Sequence, residues 1–219
     1  MHFLLKLINL KIMSILLTSN GWKDNEEIKK EFLALFPEKN PSKVKVLLVN
    51  TATKENKEWK YVEDHIQELK KIGIIDKNIT VFSLDKKVKA PFEADVIYVC
   101  GGNTFEYLDK IKKTNLDEKI KEMVNEGVHY FGISAGSILA GPEISIAIVG
   151  PEDSRDQNSV ELNDLTGLNL TNAIIYPHYE EKEDKYVSEF EKRKEVDVFR
   201  VRDDQALLIK KEEKKLIGS

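Results

Sequence analysis

The sequence has little of what would mark a secreted, membrane-spanning or metal-binding protein. Its 219 residues contain a single cysteine, Cys100, which excludes an internal disulfide and any metal site built from several cysteines. No uninterrupted apolar stretch approaches the roughly 18 residues of a membrane-spanning helix. The formal net charge is only −4, so no strongly basic composition points to nucleic acid. These absences predict a cytoplasmic protein without a metal or cofactor, binding neither nucleic acid nor membranes.

The amino-terminal segment Met1–Leu17 is rich in leucine and isoleucine and superficially resembles a signal peptide. Lys6 and Lys11 interrupt its apolar run, however, and no small-residue cleavage site follows. Met13 stands immediately before a clean strand pattern. We therefore predict that residues 1–12 are an extension outside the core and that residues 13–219 form a single domain. Either Met1 or Met13 is then the native start.

Short, continuously apolar runs alternate with amphipathic helical patterns along the first two thirds of the chain. Continuous rather than alternating hydrophobicity is typical of parallel strands that are covered on both faces. The pattern predicts an α/β fold with a doubly wound, mostly parallel sheet sandwiched by helices. The predicted strands are Ser14–Thr18, Val44–Asn50, Ile79–Ser83, Val96–Cys100 and His129–Ile133.

The pattern changes in the last third of the chain. Ile144–Val149 and Ala173–Tyr176 are predicted as strands, and Glu183–Lys194 as a charged helix. The chain is then predicted to finish in antiparallel strands at Val196–Val201, Ala206–Lys210 and Lys214–Ile217.

The segment Tyr130–Ser137 carries the strongest functional signal. An apolar strand runs directly into Gly-x-Ser-x-Gly and then into a short helical pattern. Gly132 and Gly136 allow a sharp strand-to-helix turn that exposes the Ser134 hydroxyl. The following helix directs its free N–H groups toward any negative charge that forms beside that oxygen. The segment therefore predicts a nucleophile elbow.

A serine nucleophile needs a base, and the chain has four histidines. His2 lies in the predicted extension, His65 lies on a charged helix where a solvated surface role is expected, and His129 begins a strand. His178 follows the carboxyl end of Ile174–Tyr176, at the sheet edge where Ser134 is also expected. We predict His178 as the base, because a near-neutral pKa suits it to take the serine proton.

An oxyanion at this serine needs hydrogen-bond donors. The backbone N–H of Ala135 is the first candidate, and the turn at Gly101 and Gly102 is the second, because glycine lets the backbone approach a ligand closely. A plain tight turn or a phosphate-binding loop remains an alternative for these glycines. Cys100 lies at the end of the preceding strand and is predicted to be a buried core thiol rather than a nucleophile.

Three motifs in order, Gly101–Phe105, Gly132–Ser137 and Pro177–Tyr179, together with the opening Leu17–Gly21, resemble the peptidase E (aspartyl dipeptidase) family. That family is related to cyanophycinases and to class I glutamine amidotransferase-like domains, and its fold differs from that of the esterase α/β-hydrolases. The resemblance covers nearly the whole chain from Met13 onward. It implies a nucleophilic serine, a histidine base, and an oxyanion hole at the positions identified above.

The acid of the implied triad has three candidates in this chain. Members of the family carry it after the elbow, but the stretch Ile144–Val149 contains no acid. Other relatives carry it well after the histidine, where this chain has Asp203 and Asp204. A carboxylate is required to orient the imidazole and stabilise its protonated form. We predict Asp204 for this role, with Asp203 second and Asp156 third.

Peptidase E has a Gly-Glu-Thr-Arg segment after the histidine, whose arginine is implied in binding the substrate aspartate. Here the segment Tyr179–Lys185 is acidic and lacks arginine, so strict Asp-X specificity is not expected. The predicted function is a serine peptidase that hydrolyses short peptides through an acyl-enzyme on Ser134. The alternatives are an esterase or amidase acting on a non-peptide acyl group, and a non-catalytic binding domain. The sequence does not distinguish a monomer from a homodimer.

Overall fold

The computed structural model describes residues 13–23, 25–52, 59–84 and 92–218, so the predicted extension at residues 1–12 lies outside the described residues. The strands are β1 (Ser14–Thr18), β2 (Val46–Asn50), β3 (Ile79–Ser83), β4 (Val96–Val99), β5 (His129–Ile133), β6 (Ile174–Tyr176), β7 (Val198–Arg200), β8 (Ala206–Lys210) and β9 (Glu213–Ile217).

The α-helices of the described residues are α1 (Glu26–Leu33), α2 (Trp59–Lys71), α3 (Thr104–Thr114), α4 (Leu116–Asn125), α5 (Ala135–Leu139) and α6 (Asp184–Lys194). None of these helices is both long enough and apolar enough to cross a membrane.

The described strands form a main sheet of seven in the order β3-β2-β4-β5-β1-β8-β9. The first five in this order pair in parallel, whereas β8 runs antiparallel to β1, and β9 antiparallel to β8. The strands β6 and β7 form a separate parallel pair. The predicted α/β class with a mostly parallel sheet is confirmed. Parallel pairing brings the carboxyl ends of β1, β2, β4 and β5 to one edge, where sites form in such folds.

Apolar side chains cover both faces of the central strands, which explains their continuous hydrophobicity. Every residue of β1, β2 and β5 is buried. On one face, the rings of Tyr98 and Phe131 stack with centroids 4.8 Å apart, and Trp22 lies 5.4 Å from Phe131. On the other face, Tyr130 and Tyr107 are fully buried. The central strands therefore form a rigid base for the loops at their carboxyl ends.

Two predictions for the last third of the chain are wrong. Ile144–Val149 is not a strand: Ser145–Ile148 forms a 3-10 turn, in which the Ala147 amide donates to the Ile144 carbonyl. A short buried apolar run does not by itself separate a strand from a helical turn. The strand predicted at Val196–Val201 pairs with β6 in parallel rather than antiparallel fashion, because the intervening α6 provides the crossover that parallel pairing requires.

Candidate active site

Ser134 lies in a sharp turn between β5 and α5, as predicted for a nucleophile elbow. Its backbone has φ 50° and ψ −112°, a region that residues with a Cβ rarely occupy and that is characteristic of functional turns. A Cβ on Gly132 would lie 2.6 Å from the Gly136 carbonyl oxygen, and one on Gly136 would collide with the Val99 carbonyl. Both flanking positions therefore require glycine.

Hydrogen bonds from the carboxyl end of β1 hold the elbow in place. The Ser134 amide donates to the Thr18 carbonyl over 2.9 Å. The Ser137 hydroxyl accepts from the Thr18 amide and donates to the same carbonyl, while the Thr18 hydroxyl donates to the Gly132 carbonyl. Since Ser137 and Thr18 are fully buried, these bonds are shielded from water. They preorganise the turn that presents the Ser134 hydroxyl.

The structure brings Ser134, His178 and Asp203 into one row. Nε2 of His178 lies 2.9 Å from Oγ of Ser134, and Nδ1 of His178 lies 2.6 Å from Oδ1 of Asp203. The His178 and Asp203 side chains are 48% and 62% exposed, so water partly screens the imidazole–carboxylate pair. The hydroxyl–imidazole–carboxylate order is that of a catalytic triad.

The backbone at His178 has φ +56°, and Ser19 stabilises this unusual conformation. The Ser19 hydroxyl accepts from the His178 amide over 2.9 Å and donates to the Val201 carbonyl over 2.8 Å. It thereby joins the histidine loop to the segment that leads to Asp203. The Leu17–Gly21 motif includes Ser19, but the motif alone does not indicate this role. Its position directly after β1, at the edge where the site forms, was the available signal.

The carboxylate that contacts His178 belongs to Asp203 and not to the predicted Asp204. The Gln205 amide donates to the Arg202 carbonyl, which makes Asp203 and Asp204 the central pair of a β-turn. Consecutive turn residues direct their side chains differently, so the tertiary position of the turn decides which one faces the imidazole. The Asp204 carbonyl accepts from the side chain of Asn25.

Asp156, the third candidate for the acid, has another partner. Its carboxylate accepts from the Thr104 amide at the start of α3 over 2.8 Å. This bond satisfies a free N–H at a helix N-terminus, and it ties the loop after the elbow to the turn that precedes α3.

The predicted oxyanion-hole residues meet beside Ser134. A Cβ on Gly101 would lie 3.4 Å from Cβ of Ser134, so the turn after β4 packs directly on the elbow. Gly102 has φ +148°, which favours glycine, and Asn103 caps α3 by accepting from two backbone amides. Ala135 is the first residue of α5, and its N–H therefore has no acceptor within the helix.

The remaining histidine predictions have mixed outcomes. His129 is buried at the start of β5, where its Nδ1 accepts from the Ser14 amide over 3.1 Å, so it has a structural role in the sheet. His65 is not a solvated surface residue: its side chain is only 18% exposed, and its Nδ1 lies 3.1 Å from the Tyr98 hydroxyl.

Burial raises the pKa of the Tyr98 phenol and of the Cys100 thiol, which disfavours a reactive thiolate at Cys100.

Two cavities flank the row, and both include Ser134 and His178. The larger, of about 510 Å³, is lined by β2, α2 and the Gly101–Gly102 turn. The smaller, of about 370 Å³, is lined by the loop after the elbow and the segment between β6 and α6. In the smaller cavity Lys182 pairs with Glu180 over 2.7 Å. No arginine of the described residues lines either cavity.

The structure shows no group of three His, Cys, Asp or Glu side chains that could hold a metal ion within residues 13–23, 25–52, 59–84 and 92–218.

An α/β fold with a hydroxyl, an imidazole and a carboxylate in one row is an arrangement suited to hydrolysis. The model of Peptidase family S51 matches residues 15–217. A peptidase of Listeria innocua, itself uncharacterized, is 31% identical over 169 residues, which cover 76% of this chain and 77% of that protein. The chain therefore belongs to Peptidase family S51, and its enzyme class is that of a peptidase.

Two further relatives agree with this assignment. A peptidase E of Nostoc is 37% identical over 86 residues, covering 39% of this chain and 33% of that protein. A crystal structure of a candidate peptidase E protein from Listeria monocytogenes superposes with a TM-score of 0.74 at 25% identity, covering 95% of this chain and 99% of that one. The resemblance to peptidase E inferred from the three motifs is confirmed.

Proposed function

We propose that this chain is a serine peptidase that hydrolyses short peptides through an acyl-enzyme on Ser134. The observation that carries the proposal is the pair of contacts at His178, 2.9 Å from Nε2 to Oγ of Ser134 and 2.6 Å from Nδ1 to the carboxylate of Asp203. A nucleophile, a base within hydrogen-bond distance and an orienting third group form a working acyl-transfer site.

The first half-reaction breaks the peptide bond. Nε2 of His178 takes the Ser134 proton while Oγ bonds to the scissile carbonyl carbon, and the carbonyl electron pair moves onto oxygen. When the carbonyl re-forms, the carbon–nitrogen bond breaks, and His178 returns the proton to the leaving amine. Asp203 holds Nδ1–H toward itself and stabilises the transient imidazolium.

The second half-reaction restores the enzyme. His178 takes a proton from water as the water oxygen attacks the acyl carbon, and Oγ of Ser134 then leaves and regains that proton. In both halves we assign stabilisation of the oxyanion to the backbone amides of Ala135 and of the Gly101–Gly102 turn. Preorganised donors of this kind are each worth about 2.7–4 kcal/mol of transition-state stabilisation.

The two flanking cavities, of about 510 and 370 Å³, support a substrate of a few residues with one side chain on each side of the scissile bond. The carboxylates of Asp153, Asp156, Glu180 and Glu183 line the smaller cavity, and no arginine of the described residues reaches either one. A buried substrate carboxylate needs a paired cation. Lys182 in the smaller cavity is already paired with Glu180, and Lys23 in the larger one is accompanied by the carboxylates of Asp64 and Glu68. We therefore propose that neutral or basic side chains are accepted at least as well as aspartate.

We further propose that residues 13–219 act as a single domain in the cytoplasm, where a lone buried thiol such as Cys100 remains reduced.

Labelling with a fluorophosphonate probe tests the nucleophile directly. Wild-type protein should be labelled, and Ser134→Ala should not be. His178→Ala should slow labelling by several orders of magnitude, because triad members act as a unit. His129→Ala is a control histidine variant that should label normally if it folds. Labelling that persists in Ser134→Ala would refute the assignment.

Hydrolysis assays then separate the peptidase from the two other candidate functions. Turnover of dipeptide amides that Ser134→Ala abolishes would support the peptidase. Turnover of acyl esters alone would favour the esterase reading. Absence of both labelling and turnover would favour a binding domain with the same fold.

A further inference from the structure

Asn50 is the last residue of β2 and lines the larger cavity together with Ser134. The residue is only 1% exposed, yet neither its amide nitrogen nor its amide oxygen has a hydrogen-bond partner among the described residues. A buried polar group left unpaired is destabilising, and such groups in folded proteins nearly always have a partner. An unpaired amide on the wall of a cavity that Ser134 also lines is therefore suited to pair with bound substrate.

A second unpaired polar atom lines the same cavity. Oε2 of Glu68, on α2, is buried and makes no hydrogen bond with the described residues. It lies 3.5 Å from Nδ1 of His65, but that nitrogen is closer, at 3.1 Å, to the Tyr98 hydroxyl. Glu68 thus contributes an acceptor, while Asn50 contributes both a donor and an acceptor.

These atoms match one chemical group best. A primary amide has an oxygen that can accept from Nδ2 of Asn50 and two N–H bonds that can donate to Oδ1 of Asn50 and to Oε2 of Glu68. A carboxylate has no hydrogen to donate, and it would meet two acids, Asp64 and Glu68, in a cavity lined by one lysine, Lys23. An ammonium has no acceptor and would leave Nδ2 of Asn50 unpaired.

We propose that the larger cavity is a subsite for a substrate residue with a primary-amide side chain, glutamine or asparagine, next to the scissile bond. This inference rests on the proposed peptidase function. It narrows the substrate class to peptides in which the residue bound in the larger cavity is glutamine or asparagine rather than glutamate or aspartate. Sites built to hydrogen-bond a substrate polar group discriminate strongly, because an analogue that lacks it leaves buried protein groups unpaired.

The test compares kcat/KM for peptides that differ only in glutamine, glutamate, lysine or leucine, with the variable residue on either side of the scissile bond. Glutamine is nearly isosteric with glutamate, so their ratio reports hydrogen bonding and charge. Wild-type enzyme should prefer glutamine to glutamate at least tenfold in one of the two positions. Equal rates, or a preference for glutamate or leucine at both positions, would overturn the proposal.

Two variants locate the preference. Asn50→Leu removes both hydrogen-bonding atoms at similar size and should reduce the glutamine preference to less than threefold. Glu68→Gln removes the charge and replaces an acceptor by a group that also donates. It should likewise reduce the glutamine preference, and it serves as the test if Asn50→Leu does not fold. Ser145→Ala is the matched control: its hydroxyl is likewise buried and unpaired among the described residues, but Ser145 lines neither cavity. A full glutamine preference in both Asn50→Leu and Glu68→Gln would contradict the subsite.

Binding to the Ser134→Ala variant separates this inference from the proposed function. Calorimetric titration should show glutaminyl-glycine or glycyl-glutamine binding at least tenfold more tightly than its glutamate counterpart, and Asn50→Leu in the same background should remove the difference. If the wild-type enzyme hydrolyses nothing but this binding difference is found, the function fails and the subsite stands. If hydrolysis proceeds without any preference for glutamine, the function stands and the subsite fails.

Discussion

The two adjacent carboxylates of the turn after β7 allow a sharp test of the site, because Asp203 contacts His178 and Asp204 does not. Asp203→Asn replaces the acceptor of the Nδ1 bond by an amide of the same size, whereas Asp204→Asn makes the same chemical change one residue away. Both side chains are exposed, so neither change should affect folding.

The expected magnitude follows from the exposure of the pair. Opposite charges about 4 Å apart interact by about 1 kcal/mol in bulk water and by about 4 kcal/mol at the effective dielectric constant of a protein surface. Since about 1.4 kcal/mol is a tenfold change in rate, loss of the charge alone predicts a decrease of roughly 5-fold to 10³-fold. Loss of the correct His178 tautomer lowers the rate further. In triads whose acid is buried, the total decrease reaches about 10⁴-fold. We expect Asp203→Asn to lower the rate by about 10²- to 10³-fold.

The assay is the second-order rate constant for fluorophosphonate labelling of Ser134, which requires no knowledge of the substrate, followed by kcat on any peptide that is hydrolysed. Asp204→Asn should remain within about threefold of wild type, since a solvated carboxylate contributes little at a distance. Circular dichroism and Tm verify folding. A slow Asp204→Asn beside a normal Asp203→Asn would show that the observed pairing is not the functional one.

Three further changes test how the site is supported. Ser19→Ala should lower kcat about tenfold with KM little changed, because the His178 loop loses the hydroxyl that holds its amide; a change in KM alone would argue against a positioning role. Gly136→Ala should destabilise the protein by about 1–3 kcal/mol in urea unfolding, because its Cβ meets a backbone carbonyl that cannot move aside. The hydrogen bond from Arg200 holds the pKa of Glu191 below its ordinary value of 4.5, so this pair stabilises the fold above that pH and ceases to do so as the pH falls through the lowered pKa. Glu191→Gln should therefore lower Tm at pH 7 and make the acid-induced decrease in Tm shallower, and an unchanged pH profile would contradict this.

The parallel strands and the elbow could be predicted from local sequence because their causes are local. Strands buried on both faces require continuous apolar runs, so the bounds of β1 and β5 were predicted correctly to the residue. The bounds of β3, a partly exposed edge strand, were also predicted correctly. The elbow requires glycine at Gly132 because of a contact within the turn, and at Gly136 because the backbone of β4 lies against it; both glycines are visible in the sequence motif. The base was predicted from its place after a strand, but β6 lies outside the main sheet and pairs with β7, so it is tertiary packing that brings His178 to Ser134.

The acid, the role of His65 and the cavity wall at Asn50 depend on contacts between segments far apart in the chain. Asp203 and Asp204 are chemically identical neighbours, and only the docking of their turn against the histidine loop distinguishes them. His65 lies on a charged helix, but the packing of α2 on the sheet brings its ring against Tyr98. Asn50 is an ordinary strand end in the sequence, and its unpaired amide exists only where the turn after β4, α2 and the elbow enclose a cavity. Local physics thus determined the elements and the nucleophile, while long-range packing decided which polar groups face the reacting centre.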